Sequence, residues 1–386
     1  MSNIELSKYF DTKKEIFKDA TVFDNSHCPK KPVERKEIPE IMRKVADFMR
    51  LGVAENIFIA GKHGNGKTLY GKYLLEQIKA VAEQKNEKIR VEYKNCRDFR
   101  DEFLLLMNLC GLEGKEIRST NFHEEFCTKL KENFVLILDE IDMLQDGDDL
   151  LYFFSRITET QTLTKNRVQL ILISNKLDWD KDLDNATRSS LNLTKIIFNE
   201  YNKSQIKEIL QQRLKAGLNH DNTIPDKLIN AIVEKTSENN SDLRVSIKAL
   251  FLLCKEIERF GIKEVSENDL GKIYEKADRE VQLERIANLE DVKLHILYAV
   301  AKAKDTTVRN IYETEYKEIC RDAHARMLGY TRFTFYLKSL QDQNMIIITK
   351  DKKNKALYNK ATTRISKDVL EAENENRKIL STKYNI

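Results

Sequence analysis

The octet Gly61-Lys62-His63-Gly64-Asn65-Gly66-Lys67-Thr68 constrains this chain more than any other stretch. It follows the apolar run Ile57-Phe58-Ile59-Ala60 and precedes a helical pattern from Leu69 to Ala82. A strand leading into a glycine-rich turn that opens a helix is the context in which G-x-x-x-x-G-K-[ST] holds nucleotide phosphates. Gly61, Gly64 and Gly66 let the backbone curl. Successive N–H groups from Asn65 to Leu69 then face β-phosphate oxygens, and the helix N-terminus adds a favourable dipole. Lys67 is expected to reach the β- and γ-phosphates, and the Thr68 hydroxyl to sit on Mg2+.

The other half of such a site belongs on another strand. Phe134-Val135-Leu136-Ile137-Leu138 is a continuous apolar run, as a strand buried on both faces of a parallel sheet requires. It ends in Asp139-Glu140, at the carboxyl edge where α/β sheets collect ligands. Asp139 is placed to hold Mg2+, and Glu140 to polarise the water that hydrolysis needs. A third apolar run, Val168 to Ile173, ends in Ser174-Asn175, and the Asn175 amide can orient the same water. Taken alone, an Asp or Asn after a strand is an ordinary turn former.

With 386 residues, the chain has length for two or three domains and ample core. No apolar run reaches the length of a membrane span, and the start Met1-Ser2-Asn3-Ile4-Glu5 lacks the apolar region of a signal peptide. The six cysteines form no C-x-x-C pair, so neither a disulfide framework nor a zinc site is indicated and a cytoplasmic setting is expected. A net charge of +4 (66 basic minus 62 acidic residues) does not by itself indicate a nucleic-acid partner.

Strands are expected over residues 56–60, 90–94, 134–138, 168–173 and 195–198, alternating with helices as a parallel sheet requires. A helical excursion from Arg97 to Lys131 separates the second strand from the third. From Lys203 to about Arg285 the periodicity is helical throughout, and the rest reads as helices followed by a short β pair. The resulting division is a nucleotide-binding core at 1–202, a helical lid at 203–285 and a C-terminal domain at 286–386. Lys367 to Lys383 reads as a solvated helix or frayed tail. In the lid, Asp242 suits the N-terminal cap of a helix, and Arg244 one turn in can swing toward a γ-phosphate. An αβα core followed by a helical lid is the layout of AAA+ ATPases.

In order along the chain, Val33-Glu34-Arg35-Lys36-Glu37-Ile38, Asn95-Cys96, Leu138 to Leu144, Ser189-Ser190-Leu191 with Ile197-Phe198 and Tyr201, and Ser241-Asp242-Leu243-Arg244 resemble the motifs of archaeal Orc/Cdc-type replication initiators. These are relatives of the eukaryotic origin-recognition and helicase-loading ATPases, and the resemblance spans roughly residues 30 to 360. It implies an α/β AAA+ core with a parallel sheet and flanking helices, an all-α lid and a C-terminal winged helix. It also implies ATP and Mg2+ as cofactors, slow hydrolysis as a switch, and adenine near Val33 to Ile38 and Tyr201. Double-stranded origin DNA, a replicative helicase and further copies of related chains are the implied partners, with no membrane. The chain departs from the pattern at Ala186, where the family has a basic residue, so Arg188 alone is left as a candidate arginine finger. Two other readings stay open: an AAA+ ATPase of a mobile element or plasmid, and a DNA-binding regulator that hardly hydrolyses ATP.

The last third carries the DNA expectation. Helices over Leu289–Ala303, Val308–Ala323 and Thr331–Gln341, then strands flanking the polar tip Lys350 to Lys355, describe a winged helix. From Thr331 to Lys360 there are seven Lys or Arg and two Asp, a concentration that favours phosphate contact. Arg332, Thr334 and Lys338 are the expected groove-facing residues, and Lys352 and Lys353 the expected wing contacts. The excursion resembles in position the family's initiator-specific helical insert, which implies Arg97, Arg100 and Lys115 as further candidates for the DNA backbone.

Overall fold

Alternation along the core strands sends their side chains to two different layers. In the computed structural model, which describes residues 16–99, 101–112, 122–144, 147–157, 166–219, 224–238, 242–260, 266–303, 307–343, 345–353 and 356–377, the chain forms two compact units, divided at His27/Cys28 and Glu200/Tyr201.

The unit from Cys28 to Glu200 is built on five parallel strands: β1 (Ile57–Ala60), β2 (Ile89–Asn95), β3 (Asn133–Asp139), β4 (Val168–Ser174) and β5 (Thr194–Ile197). Their order is β2-β3-β4-β1-β5. Ile57, Ile59, Val135, Ile137, Ile171 and Ile173 pack against α1 (Ile38–Leu51) and α2 (Lys67–Lys85). Phe58, Leu136, Leu138, Leu170 and Leu172 face the opposite layer, where α3 (Glu102–Leu109), α4 (Phe122–Lys129) and α5 (Gly147–Ser155) lie. Burial on both faces accounts for the unbroken apolar runs in the sequence.

Parallel register aligns the strand ends. Asn95 pairs with Asp139, and Ala60 pairs with both Ser174 and Ile197. Since β4 separates β1 from β3, the turns after β1, β4 and β3 follow one another along the carboxyl edge. The excursion between β2 and β3 is not one helix. It contains a 3-10 turn at Cys96–Asp98, then α3 and α4, with Arg100 and Lys115 outside the described residues. A short helix α6 (Asn185–Leu191) leads into β5.

The second unit joins residues 16–27 to everything from Tyr201 onward. The sequence reading grouped this leading segment with the core. Instead Phe17 bridges to Leu218, the Lys18 amide donates to Gly217 O at 2.8 Å, and Phe17, Phe23 and Phe251 form an aromatic cluster. Three aromatic rings packed together gain more from one another than from solvent. The helices here are α7 (Lys203–Gly217), α8 (Asp226–Glu238), α9 (Leu243–Phe260) and α10 (Glu267–Ala287). They are followed by α11 (Asp291–Lys302), α12 (Val308–Ile311), α13 (Lys317–Asp322) and α14 (Tyr330–Asp342). A π-helical turn, Tyr312–Tyr316, joins α12 to α13 where one continuous helix was expected. It brings Tyr312 and Tyr316 onto Phe333, whose ring centroid lies 5.2 and 4.9 Å away.

The antiparallel strands β6 (Ile346–Lys353) and β7 (Ala356–Thr363) are longer than their apolar residues suggest. A ladder is held by backbone groups, so pairing continues into the lysine-rich part. The final helix α15 (Lys367–Arg377) is not a solvated tail over its first half. Val369 and Leu370 are fully buried, and the Tyr298 hydroxyl donates to Leu370 O at 2.9 Å. Its charged sequence concealed two apolar residues on one face.

The backbone approaches closely at Gly61, where an added Cβ would stand 2.5 Å from the backbone oxygen of Phe198. Backbone cannot rotate away as a side chain can. Gly61→Ala is therefore expected to lower unfolding stability by about 1–3 kcal/mol, read as a drop in the urea midpoint. An unchanged midpoint would refute the close approach.

Candidate functional site

Each turn at the carboxyl edge contributes one part. The octet leaves β1 at Gly61, and Gly64 and Gly66 adopt φ of +83° and +79°, a region open to glycine without strain. Asn65 is buried and its Nδ2 donates to Phe198 O at 2.8 Å, so the loop is pinned against the chain leaving β5. Arg35 adds a second pin. It donates to Asn65 O at 3.3 Å and to Asn199 O, and its guanidinium lies 4.8 Å from the centre of the Phe198 ring.

Lys67 is 5% exposed, and its Nζ donates to Gly61 O at 2.7 Å and Lys62 O at 2.8 Å. The ammonium is thus folded back over the loop it belongs to. Gly66 caps α2 without a side-chain acceptor, so the first-turn amides, Leu69 among them, keep the donor character that draws anions to helix N-termini.

Asp139 ends β3 and is 2% exposed. Its Oδ2 accepts from Thr68 Oγ1 and from the Tyr93 hydroxyl, each at 2.6 Å, while Oδ1 accepts from the Glu140 amide at 2.9 Å. A buried carboxylate is tolerable because three donors satisfy it. The joint position of Thr68 and Asp139, a hydroxyl and a carboxylate in contact, is an all-oxygen set suited to a hard cation such as Mg2+. Burial, aided by the Asp139 charge, raises the Tyr93 pKa and keeps the phenol a donor.

Glu140 takes a left-handed φ of +53°, uncommon for a side-chain-bearing residue, which turns its side chain back over the strand edge. The Arg97 guanidinium is in ion-pair contact with its carboxylate. Burial pushes the Glu140 pKa up, and Arg97 opposes that shift. Arg97, expected on the DNA backbone, is instead engaged at this site. Asn175 is half-buried one residue past β4, next to Ser174, whose hydroxyl donates to Asp142 at 2.7 Å.

The structure thus brings Gly61, Gly64, Asn65, Gly66, Lys67, Thr68, Leu69, Asp139, Glu140 and Asn175 to one edge of one unit. Arg188 lies on the exposed side of α6, its Nη2 donating to Asn185 Oδ1 at 2.6 Å. Tyr201 and Arg244 belong to the other unit. Tyr201 is buried, and Arg244 is gripped by Asp242: its amide and Nε reach Oδ1 at 3.1 and 3.2 Å, and its Nη2 reaches Oδ2 at 3.2 Å.

Sequence reasoning missed Tyr93, Arg97 and the pinning role of Arg35. Tyr93 did leave a signal, as a polar-tipped aromatic two residues before a strand's carboxyl end.

On α14, Phe333, Leu337 and Leu340 point inward, leaving Arg332 and Lys338 exposed on the outer face with Thr334 half-buried. Phe335, 61% exposed, stands between them and was not anticipated. Thr334 Oγ1 donates back to Thr331 O at 2.9 Å. Lys352 and Lys353 are the last two residues of β6, paired with Leu357 and Ala356 beside the turn, and their side chains fall outside the described residues. No disulfide joins any of the six cysteines, and no cluster of ligating side chains is found among the described residues. No described helix is long and apolar enough to cross a membrane.

Fold and phosphate loop together define an AAA+ α/β protein with a helical and winged-helix C-terminal half. No protein-family model matches the chain. Among curated proteins, it is 30% identical over 308 residues to the ORC1-type DNA replication protein of Thermococcus kodakarensis, covering 76% of this chain and 73% of that one. The Thermococcus onnurineus protein of the same name is 29% identical over 333 residues, covering 81% and 79%. The chain belongs to the ORC1-type DNA replication proteins of archaea. In fold it is similar to the Aeropyrum pernix ORC1 protein solved in complex with DNA, with a TM-score of 0.72 at 19% identity over 95% of this chain and 98% of that one.

The three donors on Asp139 make one prediction. Tyr93→Phe leaves the buried carboxylate one partner short and is expected to cost about 1.5–3 kcal/mol of unfolding stability at neutral pH, measured by urea denaturation. Wild-type stability would show that the phenol is not engaged.

Proposed function

We propose that this protein is an ATP-dependent initiator of DNA replication, binding origin duplex DNA and helping to recruit or load the replicative helicase. The supporting observation is the convergence of Lys67, Thr68, Asp139 and Glu140 at one sheet edge, in a member of a replication-protein family whose chain also carries a winged helix. A core that ends at about residue 202, a lid at 203–285 and a DNA-binding domain at 286–386 are part of the proposal, with residues 16–27 grouped with the second unit.

In this reading the loop amides and Lys67 bind the β- and γ-phosphates of ATP. Thr68 and Asp139 would hold Mg2+, which supplies charge neutralisation at the phosphates when bound. Glu140 accepts a proton from the attacking water once its carboxylate is released from Arg97, and the Asn175 amide orients that water. Arg244 contacts the γ-phosphate from the lid, and Arg188 acts on a neighbouring copy in an oligomer on DNA. A glutamate held by an arginine favours tight binding with slow turnover, as a switch requires. Arg332, Thr334 and Lys338 meet the DNA groove, and Lys352 and Lys353 meet backbone phosphates.

Two experiments test this. Lys67→Ala is expected to abolish binding of labelled ATP, whereas Glu140→Gln retains binding and fails to hydrolyse; wild-type behaviour in both variants would remove the site assignment. Replacing Lys352 and Lys353 together by Ala should weaken binding to cognate and scrambled duplexes alike and reduce the salt slope by about two units. Arg332→Ala should erode the preference between those duplexes by about 1–3 kcal/mol. Titrations at several salt concentrations measure both, and unchanged affinity in both variants would leave the winged helix a protein-binding role.

A further inference from the structure

Two guanidinium groups compete for one carboxylate where α9 begins. Asp242 Oδ1 and Oδ2 both accept from Arg244, and Oδ2 is also in ion-pair contact with Arg285 near the end of α10. The side chains of Asp242 and Arg285 are only 12% and 15% exposed, so water screens this pair poorly. Arg244 is 30% exposed, the most accessible of the three.

Arg285 depends on that contact. Its Nε is buried without an acceptor among the described residues, and Asp242 is the one carboxylate among them in ion-pair contact with it. Burial, with repulsion from Arg364 just after β7, lowers its pKa to about 10. The neighbouring acids are engaged elsewhere: Glu280 and Glu284 lie 2.9 and 3.6 Å from Lys248. Glu284 still supports the Arg244 charge at longer range.

For Arg244 to turn toward a phosphate it must leave Asp242. A buried carboxylate stripped of its partner would oppose that step strongly. Here it would not be stripped, because Arg285 stays on Oδ2. We propose that Asp242 is the counter-charge that Arg244 leaves in order to reach a γ-phosphate, and that Arg285 sets how readily it leaves. Both are positioning residues. The inference rests on the reading of Arg244 as a γ-phosphate contact.

The consequence is a pair of opposite effects. Neutralising Asp242 frees Arg244 and favours nucleotides that carry a γ-phosphate. Neutralising Arg285 leaves Arg244 as the remaining partner of Asp242, holds it there, and disfavours them. A purely structural role would weaken binding in the same direction for both. Asp242→Asn keeps the helix cap, because Asn caps a helix as well as Asp does, so the contact with the Arg244 amide survives.

The test is the ratio of Kd for ADP to Kd for the β,γ-imido analogue of ATP, measured calorimetrically on the full chain. Asp242→Asn is expected to raise this ratio about fivefold and Arg285→Gln to lower it by about the same factor, the scale of a partly exposed ion pair. Arg285→Lys should stay near wild type. Arg244→Ala should abolish the preference for the analogue, and adding Asp242→Asn to it should change nothing further. If Arg285→Gln does not fold, Arg364→Gln replaces it: removing the repelling charge tightens Arg285 on Asp242, and the ratio should rise.

Shifts of the same sign in Asp242→Asn and Arg285→Gln, or no shift in either, overturn the inference while Arg244→Ala still reports on the lid arginine. An absence of rise in Arg364→Gln does the same in the substitute arm. An intact preference in Arg244→Ala defeats the γ-phosphate reading itself, and this inference with it.

Discussion

The hydrogen bonds converging on Asp139 are the point on which the nucleotide site depends. Through one buried carboxylate, the first turn of α2, the middle of β2 and the turn after β3 are tied together by Thr68, Tyr93 and the Glu140 amide. Thr68 and Tyr93 come from different elements, so their meeting at Asp139 depends on the tertiary fold and not on any local motif. The parallel pairing of Asn95 with Asp139 and of Ala60 with Ser174 sets the strand register. If the strands slipped by one residue, Asp139 would present its side chain to the other face of the sheet.

The same edge shows how a site can hold its charges in reserve. Lys67 folds back onto the loop carbonyls, and Glu140 is held by Arg97. Both groups have low exposure, and both are compensated by partners that a phosphate or a water could replace. The lid arginine repeats the pattern, with Arg244 on Asp242. Compensation by exchangeable partners lets a buried charge exist without fixing it permanently.

The lid and the winged helix share one long element. Along the 21 residues of α10, Lys248 of α9 reaches Glu280, the Ser366 amide donates to Gln282 at 2.9 Å, and Arg279 pairs with Asp368 of α15. Arg285 lies on the same helix, two residues before its end. The rod is gripped on one side by the lid and on the other by the winged-helix core. The Asp242–Arg285 contact is therefore one helix away from the winged-helix core.

Much of this was legible in the sequence. The positions of β1, β3 and β4 were readable to within a residue, because burial on both faces demands continuous apolar runs whatever the neighbours. The octet from Gly61 to Thr68 announced its own conformation, since glycine at the positive-φ positions and a helix behind it are local requirements. The inward face of α14 followed from period. What depended on contacts between distant segments was not legible. Arg97 reads as a surface basic residue until β2 and β3 pair and set it on Glu140, and Tyr93 reads as strand filler until α2 brings Thr68 beside it. The leading segment reads as an appendage of the core, yet Phe17 and Phe23 meet Phe251 from more than two hundred residues away. The sequence by itself determined the elements, the phosphate loop and the family. Tertiary structure alone decided which charges meet, because ion pairs and hydrogen bonds select by distance in space, and spacing along the chain records that distance only within one helix, strand or turn.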